Sequence, residues 1–320
     1  MADNLNEPNN ETSWERKVLE KVALESIAEQ RRRRRWGIFF KFLGFGYLLV
    51  LFAILGDWGG KAEHLADGKQ HTALVQLNGV IQANGEASAE NIIGALQSAF
   101  EEKGTAGVIV QINSPGGSPV QAGMIRDEIV RLRKQYPAIP LYVVVEDVCA
   151  SGGYYVAAAA DKIFVDKASI VGSIGVLMDG FGFTGTMDKL GVERRLLTAG
   201  GNKGFLDPFS PQSAEQKAYA LSMLSEIHQQ FIDVVKQGRG KRLKETPETF
   251  SGLMWSGEKS VKMGLADAYG TTESVAREVI KAEDILDYTV KPNFAEQFAQ
   301  KFGASMGASM VSMLRQFSLR

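Results

Sequence analysis

The sequence predicts an α/β fold with a largely parallel sheet, preceded by one N-terminal transmembrane helix. Three observations carry this. Between residues 72 and 145, short β-branched runs alternate with amphipathic helical stretches, the pattern of βαβ units joined by right-handed crossovers. The chain has 320 residues, 45% of them hydrophobic, and 34 glycines, which suits an α/β globule with many close turns. Finally, Trp36–Gly56, WGIFFKFLGFGYLLVLFAILG, is apolar apart from Lys41 and directly follows the unbroken arginine run Arg31–Arg35.

The N-terminus up to Glu11 is polar and too poor in apolar groups to pack. Thr12 and Glu15 fit a capping box, and a helix is expected from there to about Arg35, with Trp14, Val18, Val22 and Ile27 near one face. Counted from Phe42 the apolar run is too short for a bilayer. Counted from Trp36, with Lys41 snorkelling toward the arginines, it reaches the roughly 20 residues that a span needs. The basic flank keeps the N-terminus in the cytoplasm and puts the body of the chain outside. A cleaved signal peptide is the competing reading, but the preceding segment is long for one and no A-x-A site follows. The expected organisation is a cytoplasmic segment 1–35, a signal anchor 36–56, a linker 57–71, a globular domain 72–285 and a tail 286–320.

In the globular part, strands are expected at Thr72–Leu77, Gly107–Ile112 and Leu141–Val145. Between them lie helices Ser88–Glu102, with Ile92, Ile93, Leu96 and Phe100 inward, and Val120–Lys134. Further short strands are expected at Lys162–Val165, Ile170–Leu177 and Val192–Thr198. A long amphipathic helix, begun by Ser210 and Pro211, carries Leu221, Leu224, Ile227, Phe231 and Val234 at helical spacing. The tail repeats Phe294, Phe298, Phe302, Met306 and Met310 every fourth residue. Its apolar stretch is too short to span a bilayer, and lying on the membrane, packing between subunits and packing on its own domain all stay open.

The net charge is −1, so nothing global points to nucleic acid. Cys149 is the only cysteine, which excludes an intrachain disulfide, and it reads as a small buried hydrophobe. There is no Cys/His cluster with zinc spacing and no Walker loop, so neither a metal nor a nucleotide cofactor is expected.

The chemistry concentrates in Val143–Ala158, VVVEDVCASGGYYVAA. Ser151, followed by Gly152 and Gly153, falls where an apolar strand turns into a small-residue helix. Such a serine is exposed to attack a carbonyl, and the Gly152 N–H can serve as an oxyanion donor. A tight turn capped by serine is the plain alternative. The G-x-S-x-G elbow is not met, because Cys149 holds the place of the first glycine, and Tyr154 stands where S-x-x-K needs lysine. The three histidines, His64, His71 and His228, have no local sequence that suggests a base, and His228 reads as a helix-surface residue. Lys203, in TAGGNKGFLDPF, is the better candidate. Glycines let its backbone approach closely, and apolar neighbours favour the neutral amine that a base requires. A solvated loop lysine is its plain alternative. In Asn113–Gly117, NSPGG, Gly116 and Gly117 free the backbone so that their N–H groups can meet that of Gly152 around one oxyanion. An ordinary strand-to-helix turn is the alternative there.

Together, INSPGG at Ile112–Gly117, ASGGYY at Ala150–Tyr155, VGSIGV at Val171–Val176, GNKGFLDPF at Gly201–Phe209 and WSGEKSVKMGLAD at Trp255–Asp267 resemble the signal peptide peptidase A family of Ser-Lys serine peptidases, in its short single-domain form. The resemblance covers roughly residues 72–285. It implies a Clp-protease/crotonase-like fold of stacked βα turns, with Ser151 as nucleophile and Lys203 as general base. By position in the family motif, Ser173 would orient the lysine. It also implies self-assembly into a ring or dome that brings catalytic groups of neighbouring chains together. The substrates implied are signal peptides and other hydrophobic or unfolded segments, cleaved at the extracytoplasmic face of a bacterial inner membrane. The partners expected are therefore peptides, the lipid bilayer and further copies of the chain, without nucleic acid or cofactor. A crotonase-type acyl-CoA enzyme and an inactive membrane scaffold of the same fold are the two alternatives.

Overall fold

The computed structural model describes residues 11–55 and 69–290. The chain divides into two units, one containing the first helix and the other spanning His64–Lys291. In the first unit, α1 runs unbroken over Glu11–Leu55, so the helix expected to Arg35 continues through the apolar run. Among the described residues no helix is long and apolar enough to cross a membrane. The described side chains of α1 end at Val50, and the rest of the expected span to Gly56 lies outside them. Most of the linker 57–71 and the tail beyond Val290, with its expected amphipathic repeat, also lie outside the described residues.

The second unit opens with the expected alternation: β1 (His71–Asn78), α2 (Ala89–Glu101), β2 (Thr105–Ser114), α3 (Pro119–Gln135) and β3 (Leu141–Ala150). Ser88 and Ser118 cap α2 and α3 through side-chain oxygens that accept the Asn91 and Gln121 N–H groups. There follow α4 (Gly152–Ala157), β4 (Lys162–Val165), β5 (Ile170–Gly172), α5 (Thr184–Leu190) and α6 (Ala214–Arg239). The chain then forms β6 (Met254–Ser256), α7 (Gly257–Met263), β7 (Ala268–Tyr269), α8 (Thr272–Ser274), a π-helical turn Val275–Ile280 and β8 (Ile285–Asp287).

Among the described residues the sheet has eight strands, ordered β6-β5-β3-β2-β1-β8, with β4 paired to β3 and β7 to β4. Of these, only β5 and β6 pair antiparallel. Side chains alternate between the faces of the central strands. Val75, Val110 and Val143 face the main core beneath α2, α3, α4 and α6, while Leu74, Ile109 and Val144 face a second cluster closed by Val275 and Ala276.

Beyond β4 the expected elements need correction. Residues 192–198 form no strand: Val192 and Leu197 are exposed and no strand lies beside them to pair. The strand expected over Ile170–Leu177 stops at Gly172, because Gly172 at φ +117° and Ser173 at φ +51° leave extended geometry. The long helix starts at Ala214 rather than near Ser210, since Ser213 supplies the capping oxygen to Gln216 N–H.

Candidate active site

β3 changes partner along its length, and this places Ser151. Tyr142–Val144 pair with β4, whereas Val148–Ala150 pair with β5. The ladder to β2 shifts register between these halves, where Glu146 and Asp147 are exposed. The strand then ends on Ser151 at φ 50°, ψ −120°, a conformation that is rare and strained outside glycine. The Ser151 N–H donates to Gly172 O at 2.8 Å, and its carbonyl accepts the Tyr155 N–H at 2.9 Å. The side chain makes no capping bond to α4, so the hydroxyl is not committed to the helix as a simple cap would be.

The Asn113–Gly117 loop lies directly against this turn. A Cβ on Gly116 would stand 2.7 Å from both Ser151 Cβ and Gly152 N, and one on Gly117 would stand 2.1 Å from Ile81 O. Both residues have positive φ, at 102° and 148°. Only glycine fits either place. The Gly116 N–H donates to Ser114 Oγ at 3.1 Å, so this glycine allows the close approach while its donor is engaged. Among the described residues the N–H groups of Gly117 and Gly152 have no partner. They are neighbours, since a Cβ on Gly152 would lie 3.3 Å from Gly117 N.

Ser151, Gly117, Gly152 and Ser173 all line one cavity of about 590 Å³. Its apolar wall comes from Val176, Leu177, Ile227, Phe231 and Phe250. The Gly204–Phe209 loop is not part of that wall, and Gly204 with Leu206–Pro208 borders a different cavity. Lys203 is exposed in a turn closed by its own N–H to Gly200 O at 3.1 Å, and it does not line the cavity of Ser151. Within one chain the site residues read from the sequence thus gather around Ser151, except Lys203.

His228, read from the sequence as a helix-surface residue, does line this cavity and donates from Nε2 to Ile174 O at 3.1 Å. The signal was available in the spacing: His228 precedes the buried Phe231 and Val235 by three and seven residues, on one helical face. Of the other histidines, His71 is buried against Tyr288 and Thr105, and His64 lies outside the described residues.

Behind the site, Cys149 is fully buried, and burial pushes its thiol up, in keeping with a packing role. Tyr154, in the place of the S-x-x-K lysine, is also buried and donates its hydroxyl to Leu265 O at 2.8 Å. The buried Arg239 donates to Gly264 O and Asp267 Oδ2, both at 2.8 Å. Burial pushes the Asp267 carboxyl up, but the bonds and charge of Arg239, with Ile163 N–H and Arg242, outweigh it and hold the group below the usual carboxylate range. The motif ending in Asp267 therefore anchors the underside of α4 rather than lining the cavity. No cluster of metal-ligating side chains occurs among the described residues.

An uncapped serine on a strained strand-to-helix turn, beside two open amide donors, is the arrangement of an acyl-transfer nucleophile. Residues 133–285 match the model of peptidase family S49. A provisionally named signal peptide peptidase SppA of Enterococcus faecium is 31% identical over 238 residues, 71% of this chain and 69% of that protein. A chloroplastic serine protease SPPA of Arabidopsis thaliana is 30% identical over 227 residues, 68% of this chain and 32% of that protein. A Brucella abortus protein named Na(+)/H(+) antiporter NhaA is 44% identical over 209 residues, 64% of this chain, but the chain spans only 28% of its length. The chain belongs to peptidase family S49, as an SppA-like serine peptidase.

Proposed function

We propose that the chain is a membrane-anchored serine endopeptidase that cleaves signal peptides and other hydrophobic or unfolded segments. The observation that carries this reading is the free Ser151 hydroxyl, held at positive φ beside the unpartnered N–H groups of Gly117 and Gly152. The apolar wall of Val176, Leu177, Ile227, Phe231 and Phe250 supports hydrophobic substrates. The arginine run and the apolar stretch after it support an anchor with the N-terminus in the cytoplasm.

The base is Lys203 of a neighbouring copy in a homo-oligomer. Its exposed turn lies beside Leu196, and Leu177, Phe181, Leu190 and Leu197 are exposed in the same stretch of chain, apolar surface suited to covering by another subunit. The neutral lysine amine takes the Ser151 hydroxyl proton as Oγ bonds to the scissile carbonyl carbon. Gly117 and Gly152 donate to the oxyanion. The C–N bond then breaks, the lysine proton passes to the leaving amine, and water hydrolyses the acyl ester to restore the serine. A fluorogenic apolar peptide incubated with the detergent-solubilised full chain tests the reading. Turnover must be present in the wild type and absent in Ser151→Ala; equal turnover in both refutes it.

A further inference from the structure

His228 projects from a helix that is fixed in place. On its face of α6, Phe231, Val235 and Arg239 are all buried. Farther along, Gly238 lies so close to the end of α4 that a Cβ there would come 1.9 Å from Ala158 O. Arg239 ties the same end to Gly264 and Asp267. Rolling or sliding of α6 would break core packing and a buried ion pair together, so the side chains it turns toward Ser151 stand on a rigid arm.

From that arm His228 Nε2 reaches Ile174 O at 3.1 Å. A carbonyl oxygen only accepts, so the bond assigns the proton to Nε2 and sets the tautomer. Ile174 has its side chain in the core and its carbonyl toward α6. The two residues before it, Gly172 and Ser173, both have left-handed φ. Gly172 O accepts the Ser151 N–H, and the Ser173 N–H donates to Leu253 O, each at 2.8 Å. Three consecutive residues are thus tied to three different places: the nucleophile, the approach to β6, and α6. A strained segment keeps its shape only while such ties hold it. His228 is the tie made by a side chain.

We propose that His228 is a positioning residue of the peptidase site. Its imidazole holds Gly172–Ile174 and, through the Gly172 carbonyl, keeps the Ser151 backbone in the turn that presents Oγ to the substrate. The inference rests on the reading of Ser151 as nucleophile. It assigns His228 no proton from the substrate and no part in acylation itself.

The test uses the full chain in detergent. His228→Phe keeps an aromatic ring and removes the donor, whereas His228→Gln keeps a donor. Losing one hydrogen bond that orders the site should lower kcat about tenfold in His228→Phe while KM stays within about twofold. His228→Gln should recover most of kcat. Amide hydrogen exchange supplies a readout without turnover: protection of the Ser151 and Ser173 amides should fall about tenfold in His228→Phe, with β2 amides unchanged. Wild-type kcat in His228→Phe, or a loss carried by KM alone, overturns the proposal. So does a loss of kcat with unaltered exchange at both serines. Should the wild type show no Ser151-dependent turnover, the peptidase reading fails, and the exchange result alone upholds or overturns the latch.

Discussion

Gly116 approaches Ser151 so closely that a side chain at the first position would occupy the space of the second: a Cβ on Gly116 would lie 2.7 Å from Ser151 Cβ. The backbone there is also at φ 102°. Gly116→Ala should therefore lower kcat by on the order of 100-fold and destabilise the fold by about 1–3 kcal/mol. Turnover and the urea midpoint measure the two effects, and a fully active Gly116→Ala would contradict this contact.

The proposal that Lys203 acts from another copy requires inactive chains to complement each other. Mixed oligomers of Ser151→Ala and Lys203→Ala should regain part of the turnover that neither has alone. Lys203→Arg should be as inactive as Lys203→Ala, because a guanidinium stays protonated at any usable pH. Demonstrated subunit mixing without recovery would place both groups in one chain, and an active Lys203→Arg would end the Ser-Lys assignment.

Asp267 links fold to pH. Its folded-state pKa is depressed, so its contribution is present above the unfolded value and is lost as pH falls through the folded one. Asp267→Asn removes that contribution and leaves the buried Arg239 without its anion, at a cost of about 3–5 kcal/mol. Urea titrations at pH 7 and pH 3 should show a large gap between wild type and variant at neutral pH that narrows in acid. A constant gap would show that the pair is not what couples stability to pH.

The apolar wall beside Ser151 should select its substrates. Peptides with Leu or Ala before the scissile bond should be cleaved with kcat/KM about tenfold or more above those with Asp or Lys, since a charge there loses water without gaining a partner. Comparable rates across the four peptides would mean that this wall does not hold the residue before the cleaved bond.

Orientation can be read on whole cells. Under the proposed anchor, with its arginine run on the cytoplasmic side, protease added to spheroplasts should digest the body of the chain. A body that is cut only after the membrane is broken would reverse the orientation.

The first half of the domain was legible because each of its elements carries its own signal. β1, α2, β2 and α3 show unbroken β-branched or amphipathic runs, and the observed bounds differ from the expected ones by a few residues at most. β3 reads as ending at Val145 because Glu146 and Asp147 interrupt the run, yet it continues to Ala150 by taking β5 as a new partner. That exchange is a long-range pairing which no local window contains. β6, β7 and β8 carry no signal of their own for the same reason, being two or three residues long and made by their neighbours.

Within the site, Ser151, Gly117 and Gly152 were legible as a turn chemistry that only small residues permit. The engagement of the Gly116 N–H by Ser114 was not, since it depends on a loop folding back on itself. The spacing of His228 to Phe231 and Val235 marks its face of the helix, but its partner Ile174 lies far away in sequence, where no local window reaches.

The forked pairing of β3 also bears on errors of assembly. Ser151 is registered by the short ladder Val148–Ala150 against Ile170–Gly172, separate from the ladder that seats the start of the strand on β4. A slip of one residue in the short ladder would shift the serine along the strand by about 3.3 Å and turn the side chains before it to the opposite face. The core would resist that state, because Cys149 would leave the fully buried place that its side chain fills. The place of Ser151 is thus checked by the packing of the residue two before it: a chain that slips here loses core packing and the turn together.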